Sequence, residues 1–320
     1  MNRIMYLLLK ILRKGYSKIF SVSTISGRNW TMFSNKEYSN SLIYDYLNSD
    51  QPCMIARFGS TEMLCLVNYL GVKNSNKNYL DFIKGRSSPW WWEESTINQM
   101  QSWSGFFPND VNLIEQFCEL MMQDIKEIDV LGSWLNQEIL FSKELVESKR
   151  IILEDMEPFF SLNPWTRALK GKKVLIVHPF AETINEQYKK RNLLFSNDLL
   201  PEFDLKTIKA VQSVAGEPTG FNDWFEALEF MKSQISAVDF DICIIGCGAY
   251  GLPLAAHVKR LGKKSIHLAG ATQLLFGIKG KRWEQFIVWP YTNLFNRHWV
   301  RPAKNEKPTN AVVVEGACYW

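Results

Sequence analysis

The sequence predicts an α/β fold: a Rossmann-like, mostly parallel sheet with helices on both faces, preceded by an N-terminal amphipathic helix. Three observations predict it. Short apolar runs such as Lys172 to His178 and Phe240 to Ile245 alternate with longer segments of helical periodicity, the pattern of strands buried on both faces. Glycine turns follow two of these runs directly, at Gly59 and at Gly246. The composition, 46% hydrophobic and 22% charged over 320 residues, is that of a globular chain with material for one large core or two ordinary ones.

In chain order, Met1 to Phe20 mixes Leu and Ile with Arg3, Lys10, Arg13, Lys14 and Lys18. Its longest uncharged run, Ile4 to Leu9, is far short of the ~20 residues that span a bilayer. No cleavage-site pattern follows it, so the segment suits a helix lying in a membrane interface or packed on the domain. After a polar stretch around Ser21 to Asn35, Tyr38 to Leu47 reads as a helix and Cys53 to Gly59 as a strand entering a turn. Ser60 is placed to cap a helix from Thr61 to Leu70. Asn74 to Ser88 reads as loop, and Asp110 to Lys126 as a strong helix. Short strands at Asp129 to Trp134 and Arg150 to Glu154 flank a helical stretch from Asn136 to Glu147. Beyond the strand at Lys172, a helix (Thr183 to Phe195), a strand (Leu205 to Gln212) and a helix (Asp223 to Ser236) lead to the strand at Phe240. A helix (Ala249 to Leu261) and a strand (Lys264 to Leu268) complete the alternation. The organisation is thus a basic amphipathic segment (1–20), an α/β domain (36–300) with a candidate lobe boundary near 161–170, and a tail (301–320) that wraps over the surface.

Composition excludes several classes. Lys plus Arg total 37 against 33 Asp plus Glu, a net charge of +4 without a basic stripe, which speaks against a nucleic-acid partner. Six scattered cysteines and four histidines, with no CxxC pair, speak against a structural zinc site and a disulfide framework, and suit a reducing, cytoplasmic compartment. The 12 Trp are a rich supply of flat apolar surface for a core or for stacking a sugar or base.

Two places concentrate chemistry. Gly246, Gly248 and Gly251 form a GxGxxG string after a strand and at a helix start, the context of a phosphate-binding turn. A dinucleotide enzyme also carries an acidic residue ~20 positions on; here the next strand ends in His267-Leu-Ala-Gly270 with no carboxylate. Tight strand-to-helix packing explains the glycines equally well. The second place is Ala56-Arg57-Phe58-Gly59-Ser60-Thr61-Glu62, where a strand delivers Arg57 and Glu62 to the carboxyl edge of the sheet. Arg57 is suited to clamp a phosphate, and Glu62 to bind a divalent ion or orient a sugar hydroxyl. A structural ion pair for Arg57 and a solvated helix face for Glu62 are the alternatives. His178 and Glu182 open a helix after another strand at the same edge, and Lys279 and Arg282 lie on a basic loop suited to a diphosphate. Glu62, Glu138 and Glu182 are all eligible as general base, and spacing does not choose among them.

The string ARFGSTE resembles the ARFGDGE signature of bacterial GT-D-type glycosyltransferases, and the later strand, small-residue turn, helix and Lys263-Lys-Ser-Ile-His-Leu-Ala-Gly270 resemble that family's second conserved region. Together they bracket about Pro52 to Gly270. The resemblance implies a hexosyltransferase-type enzyme in which Arg57, Gly59, Ser60 and the turn glycines Gly246, Gly248 and Gly251 contact a nucleotide-sugar; His178, Lys279 and Arg282 join the candidate binding set from their places at the sheet edge and on the basic loop. It also implies a divalent metal, Mn²⁺ or Mg²⁺, held by an Asp-x-Glu pair. Here Ser60 replaces the Asp and only Glu62 remains, while His267 stands where the family has a second Asp, which puts metal dependence in question.

The expected function is transfer of a sugar from a nucleotide-diphospho-sugar to a saccharide or lipid-linked saccharide acceptor in cell-surface polysaccharide synthesis. The expected place is the cytoplasm, at the inner membrane face through residues 1–20. The alternatives are an NAD(P)-dependent oxidoreductase or epimerase on the glycine turn, and a non-catalytic scaffold of a polysaccharide assembly complex.

Overall fold

A computed structural model of the chain describes residues 3–20, 35–285 and 290–320. Helix α1 (Arg3–Phe20) is followed, after residues outside the described set, by α2 (Lys36–Asn48), strand β1 (Cys53–Ala56) and α3 (Ser60–Lys73). The segment read as loop contains a short helix, α4 (Tyr79–Ile83), and α5 (Glu94–Ser104) follows it before α6 (Val111–Asp124). Strands β2 (Val130–Ser133) and β3 (Lys149–Ile152) come next; the helical stretch expected between them is one 3₁₀ segment, Asn136–Phe141, followed by turns. Then come α7 (Leu153–Met156), β4 (Lys173–His178), α8 (Ala181–Tyr188), β5 (Asp204–Lys209), α9 (Trp224–Ser236), β6 (Ile242–Ile245), α10 (Gly251–Arg260) and β7 (Lys264–His267). Short helices α11 (Thr272–Leu275) and α12 (Lys281–Glu284) lead into the C-terminal segment.

Among the described residues seven strands form one sheet in the order β3-β2-β1-β7-β6-β4-β5, and every pair is parallel. The strands read as unbroken apolar runs because both faces are covered. Met54, Ala56, Leu131, Leu175, Val177, Cys243 and Ile245 point into one core with residues of α3, α5, α6, α9 and α10. Their alternates Cys53, Ile55, Val130, Val174, Ile176, Ile242 and Ile244 point into the other, against α2, α8 and α11. The fold is therefore Rossmann-like α/β, as the alternation of runs predicts.

The strand order also fixes where a ligand can enter. From β4 the chain steps outward through α8 to β5, but from β6 it steps inward through α10 to β7. Right-handed crossovers in opposite directions put α8 and α10 on opposite faces, which opens a crevice above the carboxyl ends of β4 and β6.

Helix α1 packs beside α4. The Tyr6 ring stacks on Trp91 at 4.7 Å, Leu9 is buried with Phe82 and Trp91, and the Arg13 guanidinium lies 4.7 Å from the centre of the Phe82 ring. Lys10 pairs with Glu93. Ile4, Leu7, Leu8, Ile11, Leu12 and Ile19 are left exposed, with Lys14 and Lys18 exposed among them. Among the described residues no helix is long and apolar enough to cross a membrane.

Candidate functional site

The crevice opens into a cavity of about 440 Å³ lined from every strand end near the sheet centre and roofed by the end of the chain. Its first side chain comes directly after β1. Arg57 follows the buried Ala56, and its guanidinium lies 4.8 Å from the centre of the Trp134 ring. Burial lowers its pKa, its Nε has no hydrogen-bond partner, and among the described residues no carboxylate pairs with it. A buried donor without an acceptor is costly, and Nε is the atom of Arg57 left in that state.

Trp134 is held by a second carboxylate. Glu138, fully buried, accepts the Ser133 hydroxyl and the backbone N–H groups of Trp134 (3.1 Å) and Leu135 (3.0 Å). That shapes the turn after β2 so that the indole N–H donates to the Phe58 carbonyl at 2.9 Å and the ring faces Arg57. Glu138 is thus a fastening of this loop and lies outside the cavity lining.

Gly59 caps α3 without a side-chain bond, and Glu62 folds back over it from the first helical turn: a Cβ on Gly59 would stand 1.8 Å from the Glu62 Oε2. A carboxylate there is favoured by the unpaired N–H groups of the helix start. Glu62 and Ser60 both line the cavity.

Two further acids come from the segment after β3. Glu154 and Glu157 line the cavity, and the Glu157 carboxylate accepts the Tyr291 hydroxyl at 2.6 Å. Burial pushes the Glu157 pKa up to about 7 against the opposing pull of the Tyr291 hydrogen bond and the Arg57 charge. The motif reading did not single out Glu157 or Tyr291, because 134 residues separate them and neither adjoins a recognisable string.

The floor is made by β4, β6 and β7. His178 accepts the Phe180 N–H at its Nδ1 (3.0 Å), His267 has an unpartnered Nδ1, and burial lowers both rings to a pKa of about 3, the Arg57 charge adding to the effect on His267. Both are therefore neutral. The glycine string is filled largely by protein. A Cβ on Gly246 would meet the Ala269 carbonyl at 2.4 Å, one on Gly248 (φ +58°) the Ser104 carbonyl at 2.8 Å, and one on Gly251 the His267 ring at 2.0 Å. Gly246 and Gly248 line the cavity, whereas Gly251 serves the packing of α10 on β7.

The tail reaches further than a surface wrap: Val314, Glu315, Tyr319 and Trp320 close the cavity. Arg282 at the start of α12 is held there by an ion pair with Glu315 and a 3.1 Å bond to the Tyr319 hydroxyl. Glu315, Gly316 and Ala317 all have left-handed backbones, with φ of 45°, 69° and 65°. Lys279 does not line the cavity, and its N–H bonds the Val300 carbonyl instead. Glu182 points outward, paired to Lys209 at 2.8 Å and bonded by Asn305 at 2.8 Å. The N-terminus of its helix is capped by Glu306 from the tail, which accepts the Glu182 N–H at 2.9 Å.

Of the residues singled out in the sequence, Arg57, Gly59, Ser60, Glu62, His178, Gly246, Gly248 and Arg282 are brought together; Glu138, Glu182, Gly251 and Lys279 lie outside the lining. The assembled chemistry is two guanidinium groups, four carboxylates (Glu62, Glu154, Glu157 and Glu315) and a wall of Trp and Tyr. Among the described residues no three His, Cys, Asp or Glu side chains converge as a metal site. Glu62 with the Ser60 hydroxyl would hold a divalent ion only together with oxygens from a ligand, the manner in which Mg²⁺ sits on phosphates.

Comparison with family models, with characterised proteins and with solved structures finds no match to this chain.

Proposed function

We propose that the chain is a glycosyltransferase that takes a sugar from a nucleotide-diphospho-sugar bound in the central cavity. The observation that carries this reading is Arg57: a half-buried arginine stacked on Trp134, its Nε buried without a partner, at the carboxyl edge of the sheet and beside Glu62. It is suited to take phosphate oxygens by its planar fork. Arg282 supplies a second cation once Glu315 yields it. The indole and phenol faces of Trp134, Trp283 and Tyr319 offer the flat apolar surface that sugars and bases stack on. In the reaction an acceptor hydroxyl attacks the anomeric carbon, and the diphosphate leaves with the electron pair of the broken C–O bond. Charge on that leaving group is the largest quantity the site must stabilise, and the two guanidiniums act on it. A divalent ion bound by Glu62, Ser60 and the phosphates would add Lewis-acid stabilisation of the same oxygens.

The dinucleotide reading has less support. The space a pyrophosphate would need beside Gly248 holds the Ser104 carbonyl, whose oxygen repels an anion, and β7 ends in neutral His267 rather than a ribose-binding acid.

The reading extends to place. The exposed apolar residues of α1, flanked by Lys14 and Lys18, suit shallow insertion at the inner face of an anionic membrane, where a lipid-linked saccharide of a surface polysaccharide would be met. The test of the activity is thermal unfolding of the purified chain with UDP-, GDP-, dTDP- and CMP-sugars and NAD(P), each with and without Mn²⁺. A ligand at 100 times its Kd adds about 2.7 kcal/mol of stability. A shift with one nucleotide-diphospho-sugar class supports the proposal, whereas a shift with NAD(P) alone or with none of them overturns it.

A further inference from the structure

The carboxylates near the cavity differ in what already occupies them. Glu138 is consumed by a hydroxyl and two backbone N–H groups, Glu306 by the start of α8, Glu182 by Lys209 and Asn305, and Glu315 by Arg282. Glu62 leans over the start of α3, where a metal or phosphate-side role suits it. Glu154 lines the cavity too, but no described residue holds its carboxylate by a hydrogen bond or ion pair; Glu157 is different. One of its oxygens, Oε2, is fixed by the Tyr291 hydroxyl, and no other described residue donates a hydrogen bond to the carboxylate. Its backbone is rigidly seated between buried Met156 and buried Pro158 and Phe159, so the side chain is presented to the cavity from a fixed base.

Resting on the transferase reading above, we infer that Glu157 is the general base of the site, taking the proton of the attacking hydroxyl on the carboxylate oxygen that Tyr291 leaves open. In that step the acceptor O–H bond breaks and its proton passes to Glu157. The acceptor oxygen bonds the anomeric carbon as the C–O bond to the diphosphate breaks, and the diphosphate carries away the electron pair. Glu157 later returns its proton to water. Tyr291 is a positioning residue: it holds one carboxylate oxygen so that the other faces the substrate.

The electrostatic setting agrees with the geometry. The groups facing Glu157 are Tyr291 from the turn at 291–294, Arg57 from the end of β1, and Glu154 from its own segment. Burial and Glu154 push its pKa up while Tyr291 and Arg57 pull it down, leaving it at about 7. A base poised near neutrality combines a large deprotonated fraction with real proton affinity, which an ordinary exposed carboxylate lacks. It lines the same cavity as Arg57 and lies near enough to feel that charge, so a donor diphosphate held by Arg57 would be bound within the same cavity that Glu157 lines.

The test uses the full chain and the nucleotide-diphospho-sugar that gives the largest thermal shift, with water as the attacking hydroxyl, reading nucleotide release against pH. Glu157→Gln keeps an oxygen for Tyr291, so donor Kd is expected within a few-fold of wild type. Its kcat is expected to fall by about a hundredfold or more, with loss of the acidic limb of the pH profile. Tyr291→Phe removes the hydrogen bond that lowers Glu157, so the midpoint of that limb is expected to move upward with KM little changed; a merely structural tyrosine would not move it. Wild-type kcat and an unchanged acidic limb in Glu157→Gln would overturn the assignment while leaving the transferase reading intact. A wild-type chain that binds a donor but releases no nucleotide at any pH from 5 to 9 would overturn both.

Discussion

Replacing Arg57 by Met separates a binding residue from a structural one, because the two roles predict opposite signs for stability. In the free protein Arg57 is half-buried, its Nε is buried without a partner, and its described partner is the Trp134 ring. An unsatisfied buried donor costs about 1–3 kcal/mol, and a desolvated cation–π contact returns about 1–2 kcal/mol. Methionine keeps the length of the stem and can place its sulfur against the indole for about 0.3–1.5 kcal/mol. It also removes the burial of a charge, whose replacement by an apolar side chain of similar volume is often stabilising. The free Arg57→Met protein is therefore expected to gain about 1–2 kcal/mol. Unfolding entropy is about 2.1 cal/mol/K per residue, so for 320 residues 1 kcal/mol moves Tm by about 1.5 °C, and the expected rise is about 1.5–3 °C. The same variant loses at least one charge-assisted bond to phosphate, about 1.5–3 kcal/mol, or roughly 10- to 150-fold in donor Kd. Calorimetry of the free protein and titration with the nucleotide-sugar read the two effects separately. A fall in Tm of 3 °C or more in the free variant would refute the reasoning, since it would make the guanidinium a structural group. So would an unchanged donor affinity.

Gly59→Ala is expected to leave Tm within about 1 °C yet weaken the donor response: the backbone (φ −76°, ψ 144°) accepts alanine, but the new Cβ displaces the flexible Glu62 carboxylate. Gly246→Ala is the contrast, since its Cβ would meet the Ala269 backbone carbonyl; calorimetry should show a loss of about 1–3 kcal/mol. Ile11→Glu places a charge in the exposed apolar part of α1 without touching the Tyr6 and Leu9 contacts, and should abolish sedimentation with phosphatidylserine vesicles at unchanged Tm; retained binding would remove the helix from the membrane. His178 and His267 have folded pKa values of about 3 against an unfolded 6.5, so the unfolded chain binds more protons between those limits and stability falls as pH drops below about 6.5. His267→Gln should accordingly lose less stability than wild type between pH 7 and pH 5, as read by denaturant titration at the two pH values.

What the sequence makes legible is what lies within one strand and its following turn. Arg57, Gly59 and Glu62 are found because a parallel strand, whatever its order in the sheet, delivers the residues after it to the carboxyl edge. The sheet itself is visible for a related reason: strands covered on both faces carry continuous apolar runs. Helix α5 is not visible. In ESTINQMQSWS only Ile97, Met100 and Ser104 are buried, too sparse a pattern to signal a helix that packing on α3 holds in place. The tail likewise has no periodicity, and its place over the cavity depends on Arg282 and Gln273 holding Tyr319 from elements some 40 residues away.

The carboxylates show why a site cannot be completed from local pattern. Glu62, Glu138, Glu182 and Glu157 each follow a strand by a few residues, so each is delivered to the same edge of the sheet and each is eligible as a base. What divides them is partnership. Glu138 turns back on the N–H groups of its own loop, a local event that its spacing after Ser133 could have suggested. Glu182 meets Lys209 at the end of the neighbouring strand, which follows from β4 pairing with β5 and is hidden until that pairing is known. Glu157 meets Tyr291 from a turn 134 residues on, a contact that no spacing rule anticipates. An acid whose partner is a lysine is held ionised and solvated, and one wrapped in backbone N–H groups is a fastener. A half-buried acid held by one hydroxyl and near a guanidinium keeps both its proton affinity and an open oxygen. On the proposed transferase reading, that difference decides which of the four similar residues would exchange a proton with a substrate, and it is set by long-range packing alone.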